Sequence, residues 1–453
     1  MNSTDTIFAL ATPPGRSGVA VLRVSGPKAL ESLGLFQPDI DIPTIKPRFA
    51  YLTNLYAPEN KQKTIDKALV IYFKTPNSFT GEDVVEYHLH GSTAVISELS
   101  GHLSELEGHR PAERGEFTRR GFENDRMDLT EAEAIADLID AETTAQKDQA
   151  LSQLSGTLKE LYENWAKELT ESLAYLEADL DFPDEDLPEG VSAQVTPKIE
   201  SIISQIEAHV NDKRRGERLR DGIKIAVIGA PNAGKSSLVN ALAQRDIAIT
   251  SDFAGTTRDV LEVHLDIGGY PVIISDTAGL KPELLSGNAK DAQDSIESEG
   301  IKRAIKVAEA ADIKLLLFDA QREMDEATLK LADENSILIL NKSDLPTDLK
   351  HPQENTLLLS LENQAGFKEL LKQIEENIIS LIGQSSAPTL TRERHRHQLQ
   401  NCLESLKRAL KADLPELLAE DVRLAVRSLG RITGRVDVED LLDLIFSEFC
   451  IGK

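Results

Sequence analysis

The residues with the clearest chemical potential form a glycine-rich run at 229–236, Gly-Ala-Pro-Asn-Ala-Gly-Lys-Ser. An apolar run at Lys224–Ile228 precedes it and a helix-forming run at Ser237–Ala243 follows it, so the pattern predicts a strand, a loop and a helix. In that arrangement backbone N–H groups surround phosphate oxygens, Lys235 neutralises the β- and γ-phosphates, and the Ser236 hydroxyl binds magnesium. The run therefore predicts a nucleoside-triphosphate site.

Further residues suited to magnesium and phosphate follow along the chain. The Thr257 hydroxyl can complete the magnesium shell, and a predicted strand at Tyr270–Ser275 ends on the run Asp276–Gly279. We expect Asp276 to hold magnesium through water and the Gly279 N–H to reach the γ-phosphate. Both elements therefore fit a site that holds a nucleoside triphosphate with magnesium.

A third element predicts which base is bound. The predicted strand Ile337–Leu340 ends on Asn341-Lys342-Ser343-Asp344, and the Asp344 carboxylate can accept from guanine N1–H and from the exocyclic amine. Adenine offers no such donors, so the site would reject ATP. Ser360 is the candidate for the loop that encloses the base, although Ser360-Leu361-Glu362 departs from the usual Ser-Ala-Lys. Together these motifs predict a GTPase.

The route to hydrolysis differs from that of Ras-like enzymes. The glutamine that orients the attacking water there is replaced by Leu280, which cannot do so. Asn232 and the stretch Gly255–Thr257 resemble GTPases in which potassium takes the place of an arginine finger and offsets γ-phosphate charge. Asn232 is alternatively a turn former beside Pro231.

The texture of the chain predicts a multidomain α/β protein with an N-terminal α+β domain, a discontinuous helical domain and an inserted Ras-like P-loop G domain. Its predicted boundaries are 1–120, 121–215, 216–384 and 385–453, where 121–215 and 385–453 are expected to pack together as one helical domain. Strands are predicted in the first segment at Thr6–Ala11, Gly18–Val24, Ala68–Phe73 and Val84–Leu89.

Helical spacing begins at Leu129, where Thr130 and Glu133 predict a capping box. It ends at Asp181–Gly190, whose two prolines break the helix, and resumes at about Val195–Arg215. Strands and helices alternate from 222 to 382, and after the linker at 385–388 helices continue to the end.

Composition excludes several classes of protein. The net charge of −26 argues against nonspecific attraction to nucleic acid or to an anionic membrane, so any RNA contact is local. Two cysteines without metal spacing support neither a disulfide framework nor a zinc site. No signal peptide or membrane span is recognised, so the expected location is cytoplasmic. Basic clusters that could contact RNA or simply be solvated are Lys213, Arg214, Arg215, Arg218 and Arg220, and Arg392, Arg394 and Arg396 with His395 and His397.

Motifs inside and outside the predicted G domain together resemble the MnmE or TrmE family of bacterial tRNA modification GTPases. They are the P-loop with Asn232, Ala11–Arg16, Phe79–Asp83, Arg114–Thr118, Leu129–Leu138, Asp181–Glu185 and the terminal Cys450-Ile451-Gly452-Lys453. The resemblance covers nearly the whole chain.

The resemblance implies a homodimer whose N-terminal domain binds 5-formyl- or methylene-tetrahydrofolate. It implies joint action with a flavin-dependent MnmG or GidA partner, which carries FAD, in a heterotetramer. The two would add an aminomethyl or carboxymethylaminomethyl group to C5 of the wobble uridine of tRNA, with the folate supplying the one-carbon unit. No membrane association is implied.

The resemblance also assigns roles within the GTP site. Potassium would be held by Asn232, Ser251, Thr256 and the Phe253 carbonyl, and magnesium by Ser236 and Thr257. Glu297 would position the water, with Glu299 as the competing candidate beyond the long stretch Lys281–Ser295. The full predicted GTP-binding set is Asn232, Ala233, Gly234, Lys235, Ser236, Ser237, Ser251, Asp252, Phe253, Ala254, Gly255, Thr256, Thr257, Asp276, Thr277, Ala278, Gly279, Asn341, Lys342, Asp344 and Ser360.

By the same resemblance, the folate pocket includes Arg23, Glu82, Arg126 and Lys453, whose charges would meet the carboxylates and pterin donors of the folate. Cys450 has two interpretations, a catalytic nucleophile near the terminus or a small buried hydrophobic residue. His88 and His90 lie on one face of a predicted strand, and we assign them to packing or to a wall of the folate site.

Two alternatives remain open at the level of sequence. A ribosome-assembly GTPase would share the P-loop asparagine and bind RNA without modifying it. A folate-dependent one-carbon transferase regulated by a G domain would bind folate without requiring tRNA.

Overall fold

The structure is a computed structural model of the 453-residue chain. It describes residues 5–39, 41–181, 191–244, 262–276, 306–346, 356–383, 388–436, 438–447 and 449–452. For residues 191–194 and 276 it describes the backbone and not the side chains. The chain divides into two compact units, Met1–Ala136 with Leu429–Lys453, and Asp137–Ser428.

The first unit contains a sheet and short helices. Its elements are β1 (Thr6–Leu10), β2 (Ser17–Ser25), α1 (Ala29–Phe36), β3 (Ala50–Ala57), β4 (Asn60–Phe73), β5 (Val84–Gly91), α2 (Thr93–Glu105), β6 (His109–Pro111), α3 (Glu116–Glu123) and α14 (Glu439–Ser447), with a 3₁₀ turn at Ile42–Thr44. Two helices begin in one unit and end in the other, α4 (Leu129–Asp140) and α13 (Pro415–Thr433).

The second unit combines helices with a parallel sheet. Its elements are α5 (Thr144–Leu154), α6 (Thr157–Asp181), α7 (Val191–Val210), α8 (Arg215–Asp221), β7 (Ile223–Ile228), α9 (Lys235–Ala243), β8 (Glu262–Ile267), β9 (Tyr270–Asp276), β10 (Ile313–Asp319), α10 (Glu326–Leu329), β11 (Ser336–Asn341), β12 (Leu357–Leu358), α11 (Phe367–Ile382) and α12 (Glu393–Ala409).

The N-terminal sheet has six strands in the order β3-β4-β5-β2-β1-β6. The predicted strands are confirmed, but the prediction missed β3, the part of β4 before Ala68 and the three-residue β6. The first five residues of β4, Asn-Lys-Gln-Lys-Thr, are all exposed, because a pairing at the sheet edge needs no buried face. Alternation of apolar and polar residues, the signal used for prediction, is therefore weak there.

The capping box predicted at Thr130 and Glu133 is wrong by two residues. The cap is Asp128, whose Oδ1 accepts from the Glu131 N–H at 2.9 Å while the Glu131 carboxylate accepts from the Asp128 N–H at 2.8 Å. Starting α4 at Leu129 buries that residue completely. Burial of Leu129 thus selects between two capping sequences that are both locally acceptable.

The G-domain sheet has six strands in the order β12-β11-β10-β7-β9-β8, all parallel except for the antiparallel pair β8 and β9. The turn between these two contains Gly268 and Gly269 with φ of 63° and 87°. Two successive positive φ values match the predicted hairpin turn, which glycine adopts without steric cost. Because the parallel strands share one direction, the loops that follow β7, β9, β10 and β11 meet at one edge.

Helices on either side of the G domain in sequence pack together within each unit. In the second unit the Arg396 guanidinium of α12 bonds to Asp212 at 2.9 Å and to Glu217 at 2.7 Å. In the first unit Phe446 of α14 packs with Leu129 in one apolar cluster. The fold class is the predicted multidomain α/β arrangement. Among the described helices, none has the length and apolar character needed to cross a membrane.

Candidate nucleotide and cofactor sites

The phosphate loop lies between β7 and α9, as its sequence predicts. Gly234 caps α9 with φ of 104°, and a Cβ there would lie 2.3 Å from the Asn341 Nδ2. Glycine is required at this position for both reasons. The Lys235 Nζ donates to the carbonyls of Gly229 and Ala230 at 2.8 and 3.0 Å, so the ammonium is held over the loop.

The motif predicted to recognise the base, Asn341–Asp344, contacts this loop directly. The Asn341 side chain, 3% exposed, donates to the Ala233 carbonyl at 2.9 Å. The Lys342 Nζ donates to the Asn232 carbonyl at 3.2 Å. The loops after β7 and β11, more than a hundred residues apart in sequence, are thereby joined by two hydrogen bonds.

The remaining described residues of the predicted set lie at the same edge of the sheet. Asp276 ends β9 opposite Val227 of β7, and Asp344 is exposed after the turn at Lys342. Ser360 is fully buried, and its Oγ accepts from the Asn363 N–H at 3.4 Å. Ser360 therefore shapes its own loop here, a role compatible with enclosing a base through backbone groups. Ser236 and Ser237 are exposed in the first turn of α9.

Other predicted residues lie outside the described part of the chain. They are Ser251, Asp252, Phe253, Ala254, Gly255, Thr256, Thr257, Thr277, Ala278, Gly279, Leu280, Glu297, Glu299 and Lys453.

A second group of charged residues lies in the first unit around Arg23 of β2. Its guanidinium lies 5.3 Å from the ring centre of Phe79 and 5.7 Å from that of Phe117. The Nε donates to Glu86 at 3.0 Å. Aromatic faces and a carboxylate thus hold this cation in one orientation, with a fifth of the side chain exposed.

Glu82, the predicted carboxylate, is held by residues that the sequence did not single out. Its Oε2 accepts from the Ser25 hydroxyl at 2.7 Å, and both carboxylate oxygens lie 3.1 Å from Nη1 of Arg120. Arg120, 3% exposed, also bonds to Glu116 at 2.9 Å. These residues form a buried network that fixes the position of the Glu82 carboxylate.

Glu116 carries its charge despite partial burial. Burial acts to raise the pKa of its carboxyl, but a two-pronged hydrogen bond from Arg110, the Glu113 N–H and Arg120 together lower the pKa below its ordinary value. A sequence signal existed in the run Arg114–Thr118, but it does not reveal which distant residues Glu116 meets.

The C-terminal residues lie beside this network. The Cys450 carbonyl accepts from the Gly115 N–H at 3.4 Å, and Ile451 pairs with Arg114. Cys450 is exposed, which excludes the buried interpretation of this residue. Arg126 is exposed in the same unit, and its side chain lies close to Gly81. A Cβ added to Gly81 would lie 3.2 Å from the Arg126 Cγ.

His88 and His90 are each paired with an acidic side chain. His88 Nε2 lies 3.4 Å from Glu86, and His90 Nδ1 lies 2.8 Å from Asp66. His88 therefore contacts the carboxylate that also holds Arg23.

Comparison with known proteins identifies the family. The tRNA modification GTPase MnmE of Rickettsia bellii (strain RML369-C) is 50% identical over 457 residues, covering 99% of this chain and all of that protein. The model of the MnmE helical domain matches residues 129–450, and that of the GTP-binding protein TrmE N-terminus matches residues 6–126. The chain belongs to the MnmE family. It is a tRNA modification GTPase, a GTP hydrolase.

Other MnmE relatives agree along the same length. The MnmE of Rickettsia rickettsii (strain Sheila Smith) is 48% identical over 99% of this chain and all of its own. Among solved structures, the G domain of the T. maritima FeoB iron transporter matches 34% of this chain and 98% of its own at 24% identity, with a TM-score of 0.24 that is too low for further comparison.

The two thiols of this MnmE-family chain should differ sharply in reactivity. Burial raises the pKa of Cys402 in α12 to about 12, whereas Cys450 is exposed. Because the thiolate is the nucleophile, one thiol per chain should react rapidly with a thiol reagent at neutral pH, and the other only after unfolding. Mass spectrometry of the labelled peptides measures this. A rapidly reacting thiol in Cys450→Ser would contradict the assignment.

Proposed function

We propose that this chain is a potassium-stimulated GTPase that acts with a flavin-dependent MnmG or GidA partner. Together they would add an aminomethyl or carboxymethylaminomethyl group to C5 of the wobble uridine of tRNA. The observation that supports this most strongly is the likeness to MnmE relatives over 99% of the chain, which includes the N-terminal unit as well as the GTPase elements. A ribosome-assembly switch would need only the latter.

The proposed organisation follows from the same likeness. Residues 1–120 would bind folate and form the homodimer, 121–215 and 385–453 would form the helical domain, and 216–384 would bind GTP. We place the protein in the cytoplasm, where its tRNA substrate is found.

The nucleotide site suits guanosine triphosphate with magnesium. Lys235 is oriented over the phosphate loop by two backbone carbonyls, and the exposed hydroxyl of Ser236 lies at the start of α9, where backbone N–H groups favour anionic oxygens. Asn232 is exposed with φ of 65°, so its side-chain oxygen is available to a cation at the phosphates. Thr257 would add a further magnesium ligand.

The N-terminal cluster suits a ligand with both carboxylates and hydrogen-bond donors. The Glu82 carboxylate, whose side chain is 18% exposed, is oriented by Ser25 and Arg120 and can accept from the donors of a pterin. Arg23 and the exposed Arg126 supply positive charge for the carboxylates of a reduced folate. When bound, the folate would supply the one-carbon unit, and Cys450 would be the nearby nucleophile.

The modification can be tested by nucleoside analysis of tRNA. Cells that lack the gene should lose the C5 substituent on the wobble uridine, and the restored gene should return it. Mass spectrometry of digested tRNA measures both. An unchanged nucleoside profile, particularly with accumulated ribosome precursors, would favour the ribosome-assembly alternative.

Potassium dependence is a separate prediction. Replacing potassium by sodium at constant ionic strength should slow GTP turnover by at least about tenfold, because a cation at the γ-phosphate offsets charge that develops in the transition state. Steady-state phosphate release measures the rate. Equal rates in the two salts would contradict the potassium site proposed at Asn232, Ser251, Phe253 and Thr256.

The same assay decides between the two candidate glutamates. Glu297→Ala should lower turnover while GTP affinity stays unchanged, and Glu299→Ala is the matched control. The opposite pattern would assign the water-positioning role to Glu299.

A further inference from the structure

A short turn after β10 lies beside the loop that follows β11. Parallel pairing sets Asp319 opposite Asn341, and the Ala320 N–H donates to the Asn341 carbonyl at 2.9 Å. The ends of the two strands are therefore held side by side. We call Asp319–Gln321 the clasp and Asn341–Pro346 the guanine loop.

Asp319 holds the guanine loop before Asp344. Its Oδ2 lies 2.6 Å from the Lys342 Nζ, and its Oδ1 accepts from the Gln321 N–H at 2.9 Å. The Asp319 side chain is 12% exposed. Burial acts to raise its pKa, but the hydrogen bonds from Lys342 and Gln321 outweigh burial and lower the pKa. The carboxylate is thus ionised at neutral pH.

Gln321 holds the same loop after Asp344. Its Nε2 donates to the carbonyls of Leu345 and Pro346 at 3.3 and 3.1 Å. The two side chains of the clasp therefore contact the guanine loop at Lys342, which precedes Asp344 in sequence, and at Leu345 and Pro346, which follow it.

The guanine loop needs such support because its backbone is strained. Lys342 has φ of 62°, a left-handed conformation that side chains with a Cβ disfavour. The Lys342 Nζ donates at the same time to the Asn232 carbonyl of the phosphate loop. If Asp319 lost its charge, the neutral Asn232 carbonyl would be the one remaining acceptor among the described contacts of the Lys342 ammonium.

We propose that Asp319 and Gln321 are positioning residues for guanine specificity. They hold Asp344 where its carboxylate can accept from N1–H and from the exocyclic amine at once. This inference rests on the proposed role of Asp344. It adds that the accuracy of guanine selection depends on a turn that does not itself contact the base.

Discrimination between GTP and inosine triphosphate tests the clasp, because the inosine base lacks the exocyclic amine. Asp319→Asn keeps the shape of the side chain and the acceptor for Gln321 but removes the charge. We expect about a tenfold loss of GTP affinity for Asp319→Asn and about threefold for Gln321→Ala, in line with hydrogen bonds to charged and to exposed neutral groups. Affinity for inosine triphosphate should fall less, so the ratio of the two affinities falls.

Turnover at saturating GTP separates positioning from general damage. It should change by less than about twofold in Gln321→Ala, since the Gln321 side chain bonds to the Leu345 and Pro346 carbonyls and not to the phosphate loop. Gln321 is exposed, so Gln321→Ala should fold even if Asp319→Asn does not.

The matched control is Asp333→Asn. Asp333 pairs at 2.7 Å with Lys314, which lies near the start of β10, whereas Asp319 ends that strand. This pair therefore lies away from the guanine loop. This variant should keep the wild-type ratio.

An unchanged ratio in both clasp variants, or an equal fall in Asp333→Asn, would overturn the proposal. Asp344→Ala provides the separate check on the site. If Asp344→Ala keeps the ratio, the role of Asp344 fails and the clasp fails with it. If only Asp344→Ala lowers the ratio, the clasp alone is wrong.

Discussion

Asp344→Asn should weaken GTP binding by about a thousandfold and give xanthosine triphosphate the higher affinity. A site built to hydrogen-bond one group discriminates strongly against a partner that does not match. The carboxylate would accept two hydrogen bonds from guanine, whereas an amide would present a donor toward the exocyclic amine. Xanthine carries a carbonyl at that position and restores the pairing. Titration with fluorescent nucleotide analogues measures both affinities.

The control for Asp344→Asn is Glu334→Gln. Glu334 is an exposed acid before β11, at the opposite end of that strand from Asp344. Glu334→Gln removes one negative charge from the same domain, as Asp344→Asn does, and should leave the affinities for GTP and xanthosine triphosphate unchanged. If Asp344→Asn bound GTP as the wild type does, guanine recognition would have to be reassigned to another part of the site.

Arg120→Met should destabilise the N-terminal unit by about 3 kcal/mol, the lower end of the range for truncating one partner of a buried ion pair. Arg120 is 3% exposed and bonds to Glu82 and to Glu116. Without it, Glu82 is left with the Ser25 hydroxyl, while Glu116 keeps the guanidinium of Arg110. Hydrogen exchange of the β1, β2 and β5 amides measures local stability without assuming two-state unfolding of the whole chain.

The same helix supplies the control. Arg119 pairs with Glu123 and with Asp443, which is 83% exposed. Because exposed ion pairs contribute little, Arg119→Met should cost less than about 1 kcal/mol. Equal protection in Arg120→Met and the wild type would show that the buried network does not support the sheet.

Acidic pH should reduce the difference between Arg120→Met and the wild type. The pKa of Glu116 is lowered in the folded chain from its ordinary value of 4.5. Its stabilising contribution is therefore present above that value and is lost as pH falls through the lower, folded value. Once the Glu116 carboxyl is protonated, it no longer carries a charge for the missing guanidinium to neutralise.

Short-range elements of the GTP site were predictable from sequence. The strand predicted at Lys224–Ile228 is β7, and the predicted helix lies within α9. Glycine at 234, a lysine after it and a strand before it express local backbone and charge requirements. The start of α4 at Leu129 was predicted, but its capping residues were not, since two capping sequences compete and the burial of Leu129 decides between them.

The charged cluster around Arg23 and Glu82 shows the limit of prediction from sequence more clearly. Arg23 and Glu82 were expected through a family resemblance, yet Arg120, which fixes the position of Glu82, was not, and Glu116 was named only within the run Arg114–Thr118 without a role. Arg120 is 38 residues from Glu82 in sequence, and local periodicity carries no information about a pairing over that distance.

Sequence alone established the chemical motifs of this protein: a phosphate loop, an aspartate predicted to read guanine and the signatures of the MnmE family. These depend on residue types within a few positions of one another, so they can be read along the chain. The tertiary structure decided which charges meet, including Asp319 with Lys342, Arg120 with Glu82, and the backbone of Cys450 with Gly115. Such contacts form only when distant strand and helix ends are packed together, because burial and hydrogen bonding then select one partner among many carboxylates and guanidinium groups.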